Sequence, residues 1–199
     1  YYTTAGKQQQ PWLLPVVAET YDGYLNDTHG FHVQEKHVFA ALSSARAGAV
    51  AEGNVGGGTG MTCFEFKGGI GTASRQLSER QGGYTLGVLV QANFGVRHQL
   101  QIAGVPVGRE IADATFRPRE AGSIIIVLAT DAPLLPHQLK RLARPAALGL
   151  ARTGSSSGNG SGDIFLAFST ANAGAAKPKG STALTMLPNE RLNSLFEAT

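Results

Sequence analysis

The apolar positions of this chain follow two periodicities, and their order along the sequence predicts an architecture. Between residues 35 and 51, Val38, Phe39, Leu42, Ala45 and Ala49 recur at helical spacing, so a helix is expected that stops near Gly53. Strand-like segments follow at 62–67, 71–77 and 84–93, punctuated by Gly68-Gly69 and Gly82-Gly83 as hairpin-type turns. Residues 99–102 fit a short edge strand, and a polar, proline-containing linker occupies 104–122. Residues 123–130 form a continuous run rich in β-branched side chains, the pattern of a strand buried on both faces. A helix over 136–151 then places Leu139, Leu142, Ala146 and Leu150 on one face, with Arg141, Arg144 and Arg152 toward its negative end. A Ser/Gly-rich turn at 153–162, an apolar strand at 163–170, a loop at 173–181 and a helical stretch at 189–197 complete the order. Strands outnumber helices and neighbours are joined by glycine turns, which favours a layered α+β fold over a doubly wound parallel sheet.

Composition narrows the function classes. The 199 residues fit one domain spanning 1–199, and 42% apolar with 16% charged residues suits a packed core and excludes disorder. The net charge of +3 comes without a Lys/Arg block, and the aromatic residues do not interleave with the basic ones, so no nucleic-acid partner is expected. No apolar run approaches the ~18 residues of a membrane span, and no membrane partner is expected. Cys63 stands alone, which excludes an internal disulfide. Glycine is the anomaly: 26 residues of 199, against a usual share of about 7%. Neither end carries the pattern of a natural terminus, and both read as cuts through a longer protein.

Several apparent motifs fail on context. The run Gly53-Asn-Val-Gly-Gly-Gly-Thr-Gly60 lacks the Lys-Ser/Thr of a phosphate loop and the spacing of a dinucleotide fingerprint, so it reads as a tight backbone passage packed against a neighbour. Gly154-Ser-Ser-Ser-Gly158 matches a nucleophile elbow, yet a helix precedes it and a strand follows, the reverse of what that motif needs; a solvated turn is expected. The five histidines form no H-E-x-x-H, and one cysteine cannot build a zinc thiolate site, so neither metal nor cofactor is expected. Ser123, opening a buried strand after Gly122, is by itself an ordinary turn residue.

Five segments together carry a resemblance. Pro15-Val-Val-Ala-Glu-Thr-Tyr-Asp-Gly-Tyr-Leu-Asn-Asp27, Glu52-Gly-Asn-Val-Gly-Gly-Gly-Thr-Gly-Met61, Val88-Leu-Val-Gln-Ala-Asn-Phe-Gly95, the stretch 122–139 beginning Gly-Ser-Ile-Ile-Ile, and the stretch 158–170 beginning Gly-Asn-Gly-Ser-Gly-Asp occur in order. The chain resembles the L-aminopeptidase/D-esterase and β-peptidyl aminopeptidase family from about residue 12 onward. That resemblance implies a four-layer α/β/β/α sandwich like that of the Ntn hydrolases, with different connectivity and here truncated at both ends. It implies an inactive precursor that cuts itself at Gly122–Ser123, leaving 1–122 as part of an α subunit and 123–199 as part of a β subunit. The pieces stay associated, and αβ units assemble into homo-oligomers. By the same resemblance Ser123 is the nucleophile, Asn93 the oxyanion-stabilising amide, Ser161 a supporting hydroxyl, and Asp163 stands where an acidic residue, commonly Glu, is found. Glu19 holds the substrate's amino end and Tyr21 assists the reacting centre.

The chemistry fits those residue types. A serine hydroxyl needs a base, and a free α-amine, with a pKa of roughly 7.7–8.0, is partly neutral near physiological pH. A cut before Ser123 therefore puts nucleophile and base on one residue. Asn93 offers an uncharged donor where a tetrahedral oxyanion develops, and Glu19 can pair with a substrate ammonium. The implied activity is release of N-terminal residues from short peptides, amides or esters. Blander roles stay open: Asn93 as a strand-end cap, Glu19 as a solvated charge, Ser161 as a turn serine. So do an acyltransferase using the same nucleophile, and a non-catalytic fragment or unprocessed precursor.

Overall fold

In the computed structural model, which describes residues 15–116, 122–175 and 180–199, the apolar segments gather into one sheet with helices on one side. The chain enters through α1 (Glu35–Ser43), a hairpin of β1 (Thr62–Cys63) and β2 (Phe66–Lys67), then β3 (Gly69–Gln76) and β4 (Thr85–Asn93). A short α2 (Val107–Glu110) precedes β5 (Ser123–Thr130), α3 (Pro136–Ala143), α4 (Pro145–Ala151), β6 (Ile164–Ser169) and α5 (Asn193–Ala198). The sheet order is β3-β4-β5-β6. The first three strands are antiparallel, and β6 runs parallel to β5 after the helical crossover that such a pair requires.

Alternation along the strands decides the two faces. Leu86, Ile124, Ile126 and Leu128 point to one side and bury against Leu142, Ala146, Leu150, Leu192 and Leu195. The opposite face carries Leu89, Val127 and Phe168, the last 49% exposed. The α+β class expected from the sequence holds. The described residues supply this four-stranded sheet, its helix layer and the β1–β2 hairpin.

Several sequence expectations change, and Gly68-Gly69 closes no hairpin, since β2 pairs with β1 and β3 with β4. The helix over 35–51 ends at Ser43, and its apolar residues Val38, Phe39 and Leu42 stay exposed. Ser43 and Ser44 turn their hydroxyls back onto the carbonyls of Ala40 and Ala41, competing with continuation of the helix. The strand over 62–67 folds into a hairpin, because Phe64 and Glu65 both take positive φ. Residues 99–102 form no strand: a 3₁₀ turn (Arg97–Gln99) and an isolated Ile102–Val105 bridge stand there. The 136–151 helix divides at Pro145, which has no N–H for the carbonyl of Arg141 and starts α4 instead. Ser155 of the elbow-like motif is buried rather than solvated.

The glycine run turns tightly through a 3₁₀ turn (Gly56–Gly58), as the sequence suggested. A Cβ on Gly58 would lie 2.5 Å from the Gly53 carbonyl oxygen. Lys67 Nζ gathers the Gly58, Met61 and Gly68 carbonyls at 2.8, 3.0 and 2.8 Å, and partial burial lowers its pKa. Upstream, Gly53 pairs with Ile70 at the edge of β3, and the Glu52 carboxylate accepts from Thr72 N at 2.7 Å and from its hydroxyl. The hydroxyl contact first, then the amide contact, hold this carboxyl below its ordinary pKa. A depressed carboxylate contributes stability above the usual carboxylate range and loses it as pH falls through the lowered value. Glu52→Gln is therefore expected to melt below wild type near neutral pH and to converge with it in acid. A melting gap that stays constant across that range would overturn this role.

Candidate active site

Strand register builds the site. β4 ends at Asn93, β5 begins at Ser123, and the two are direct partners at the end of the ladder. Opposed residues of an antiparallel pair face the same side with Cβ atoms about 4.5–5.5 Å apart, so pairing alone sets an amide beside a hydroxyl. Asn93 is 2% exposed, and its Oδ1 accepts from Thr62 N at 2.9 Å while its Nδ2 donates to the Tyr21 carbonyl at 2.8 Å. The first partner can only donate and the second can only accept, which fixes the orientation of the amide. Nδ2 carries a second hydrogen, available to an incoming oxygen.

The chain before β6 supplies the other wall. Gly122 bridges Ser161 in parallel, which carries the β5–β6 pairing one irregular step beyond the ladder. From that step the Gly162 amide donates to Ser123 Oγ at 3.0 Å, and Ser161 Oγ donates to Asp163 Oδ1 at 2.5 Å. Asp163 Oδ2 is buried without a hydrogen-bond partner among the described residues. Gly122 has φ +154, and a Cβ there would sit 2.1 Å from the Asn93 carbonyl oxygen. Only glycine passes that point without displacing the strand end that holds Asn93.

The structure thus brings Ser123, Gly122, Asn93, Ser161 and Asp163 together. Tyr21 joins through its carbonyl; the residue is 66% exposed, and its ring lies against Gly23. Glu19 is exposed, with no partner among the described residues. The segment is anchored by Thr20 between them, buried, with Oγ1 accepting from Gln91 Nε2 at 2.8 Å and donating to Met61 Sδ at 2.7 Å. Sequence reasoning missed Thr20, Gln91 and Gly162. Gln91 did leave a signal: a polar residue in an apolar strand, two positions before Asn93 and hence on its face. Gly162 left none, since its contribution is a backbone amide.

Against known proteins, the model of peptidase family S58 matches residues 2–199. The chain belongs to peptidase family S58. It is 53% identical over 204 residues to the β-peptidyl aminopeptidase BapA of Sphingosinicella microcystinivorans, an alignment covering 94% of this chain and 51% of the relative. A solved β-aminopeptidase of Burkholderia sp. superposes with a TM-score of 0.87 at 51% identity, over 99% of this chain and 56% of that one. An L-aminopeptidase D-Ala-esterase/amidase of Ochrobactrum anthropi, described as a variant of the Ntn hydrolase fold, gives 0.84 at 50% identity, over 98% and 54%. The chain spans about half the length of these S58 relatives, and over that span it shares their Ntn-hydrolase-like fold.

Proposed function

We propose that the protein is a self-processing serine aminopeptidase, with Gly122–Ser123 as the bond it cuts and Ser123 as its nucleophile. The observation that carries this reading is the convergence at that peptide bond: Asn93 opposite Ser123, the Gly162 amide on Oγ, and the Ser161–Asp163 pair beside Gly122. In the first step Ser123 Oγ attacks the Gly122 carbonyl carbon. The C–N bond breaks, the hydroxyl proton passes to the departing nitrogen, and an ester joins the two pieces. Water hydrolyses that ester, releasing the Gly122 carboxylate and a Ser123 with free hydroxyl and free α-amine. The pieces are 1–122 and 123–199, held together by the β4–β5 ladder, and αβ units of this kind would pair into oligomers.

The second reaction uses the same atoms. The neutral α-amine takes the Oγ proton as Ser123 attacks a substrate acyl carbon and returns it to the leaving amine, and water releases the acyl group. The spare Asn93 N–H meets the oxyanion, in a site where such a donor is pre-oriented by two backbone partners. In this reading Ser161 and Asp163 offer acceptors to the α-amine of Ser123, supported by Asp163 Oδ2 being buried without a hydrogen-bond partner among the described residues. Free-amine peptides, amides and esters are the substrate class. The naming of two relatives as β-peptidyl aminopeptidases puts β-aminoacyl amides first among those to assay, beside L and D forms.

Glu19 decides the preference for an N-terminal residue in this reading. Removing a charge-assisted bond costs about 1.5–3 kcal/mol, so Glu19→Gln should lower kcat/KM on free-amine substrates by roughly 10- to 100-fold. Self-cutting, which involves no substrate amine, should continue at the wild-type rate. Equal turnover of wild type and Glu19→Gln would remove this role, and a cut protein inactive on all three amide classes would overturn the aminopeptidase reading.

A further inference from the structure

We propose that Glu65 and Arg97 are positioning residues for cleavage of Gly122–Ser123: a buried clamp that ties the linker before the bond to the hairpin that holds Asn93. The inference rests on the self-processing reading above. Its starting point is the β1–β2 hairpin turn, where Phe64 and Glu65 have φ of +48 and +62. Two successive bulky residues in the left-handed region are uncommon and persist only where neighbours over-determine them.

Arg97 is the neighbour that does so. It is 4% exposed; Nε donates to the Phe64 carbonyl at 3.0 Å, Nη2 to the Glu65 carbonyl at 2.9 Å, and its guanidinium lies 3.6 Å over the Phe66 ring. Its remaining nitrogen leaves the hairpin: Nη1 donates to the carbonyls of Ile111 and Asp113 at 3.2 and 3.0 Å. Glu65, 7% exposed, works in the same two directions. One carboxylate oxygen accepts from Arg97 N at 2.9 Å, and the other accepts from Phe116 N. The Phe116 ring also stacks on Tyr24 with centroids 4.3 Å apart.

Both buried charges are thus spent in part on residues 111–116, a stretch without a helix or strand of its own. A linker of this composition would otherwise sample many conformations. At the other end the hairpin grips the site itself: Phe64 N donates to the Phe94 carbonyl at 2.7 Å, and Thr62 N donates to Asn93 Oδ1. The clamp therefore joins two points, the strand end carrying Asn93 and the chain six residues before Gly122. Six residues span at most about 20 Å, so fixing Phe116 confines the approach of the Gly122 carbonyl to Ser123 Oγ. An ångström of misplacement at a reacting pair can cost on the order of 100-fold in rate.

The test follows the self-cleavage of the full chain over time by intact mass, with turnover of the purified cut fraction measured separately. In Glu65→Gln an amide nitrogen confronts the Arg97 or Phe116 N–H, and Arg97→Lys loses the fork. Both are expected to slow cutting by between about tenfold and 100-fold, and to lower the kcat of the cut fraction by a much smaller factor, since the hairpin also orients Asn93. Phe116→Pro removes the linker N–H together with the ring, and Phe116→Ala removes the ring but keeps the N–H. Phe116→Pro should be cut at least several-fold more slowly than Phe116→Ala, a comparison that stands even if the two buried variants fail to fold. Variants that melt like wild type and are cut at its rate would overturn the clamp, as would cutting and kcat falling by the same factor, or equal rates in the two Phe116 variants. A wild-type chain that is never cut overturns the self-processing reading itself, and is distinguished from failure of the clamp by the wild-type mass.

Discussion

Ser123→Ala is expected to leave one uncut chain with no measurable aminopeptidase activity, where wild type resolves into two masses meeting between Gly122 and Ser123. Removing the nucleophile of a serine hydrolase costs on the order of 10⁶ in kcat, so residual turnover falls below detection. Here the same substitution also removes the attacking group of self-cleavage, so the base, the new α-amine, never forms. The loss is chemical rather than structural. The hydroxyl is partnered by the Gly162 amide at a residue only half-buried, and Gly162 is exposed enough for water to take its place. Alanine continues β5 without strain, and the folding free energy should stay within about 1 kcal/mol of wild type. Intact mass, melting temperature and turnover on one preparation check all three points. An uncut yet fully active Ser123→Ala protein would sink the N-terminal nucleophile.

The second large effect is expected at Asn93. In already cut enzyme, Asn93→Ala should lower kcat by roughly 10²–10³ with little change in KM, because the oxyanion bond forms mainly in the transition state. The structure adds a second expectation. Asn93 also bonds Thr62 N and the Tyr21 carbonyl in a buried position, so its removal costs each of them a hydrogen bond, at about 1–3 kcal/mol each. A lower melting temperature is therefore expected together with the lower kcat, and stability alone does not separate donor from cap. Asn93→Asp does. A carboxylate still accepts from Thr62 N, yet it opposes the Tyr21 oxygen and repels the developing negative charge, so kcat should fall at least as far as in the alanine variant. A folded Asn93→Asp enzyme with normal kcat would end the oxyanion assignment.

How much of this could be read beforehand differs by element. β5 was legible to the residue, because a continuous β-branched run has few other uses, and β4 and β6 to within a residue at either end. The helix over 136–151 was legible in its buried face, since Leu142, Ala146 and Leu150 remain in line across the Pro145 break. The 62–67 segment was misjudged because Phe-Glu is not a sequence that announces a left-handed turn; Arg97, more than thirty residues on, stabilises it. The helix ends at Ser43, short of the 35–51 span, because periodicity alone does not show that the apolar side is left exposed.

The candidate site divides along the same line. Residue types and their order by themselves pointed to the family and, through the resemblance those motifs carry, singled out the Gly122-Ser123 junction, Asn93, Ser161 and Asp163 as candidates. Only the tertiary structure decided that Asn93 stands opposite Ser123, that Gly162 donates to Oγ, that Thr20 and Gln91 anchor the Glu19–Tyr21 segment, and that Glu65 and Arg97 hold the linker. The reason is physical. Strand register and long-range hydrogen bonds arise from packing among segments tens of residues apart, and a backbone amide or a buried charge carries no mark in the sequence of the partner it will meet.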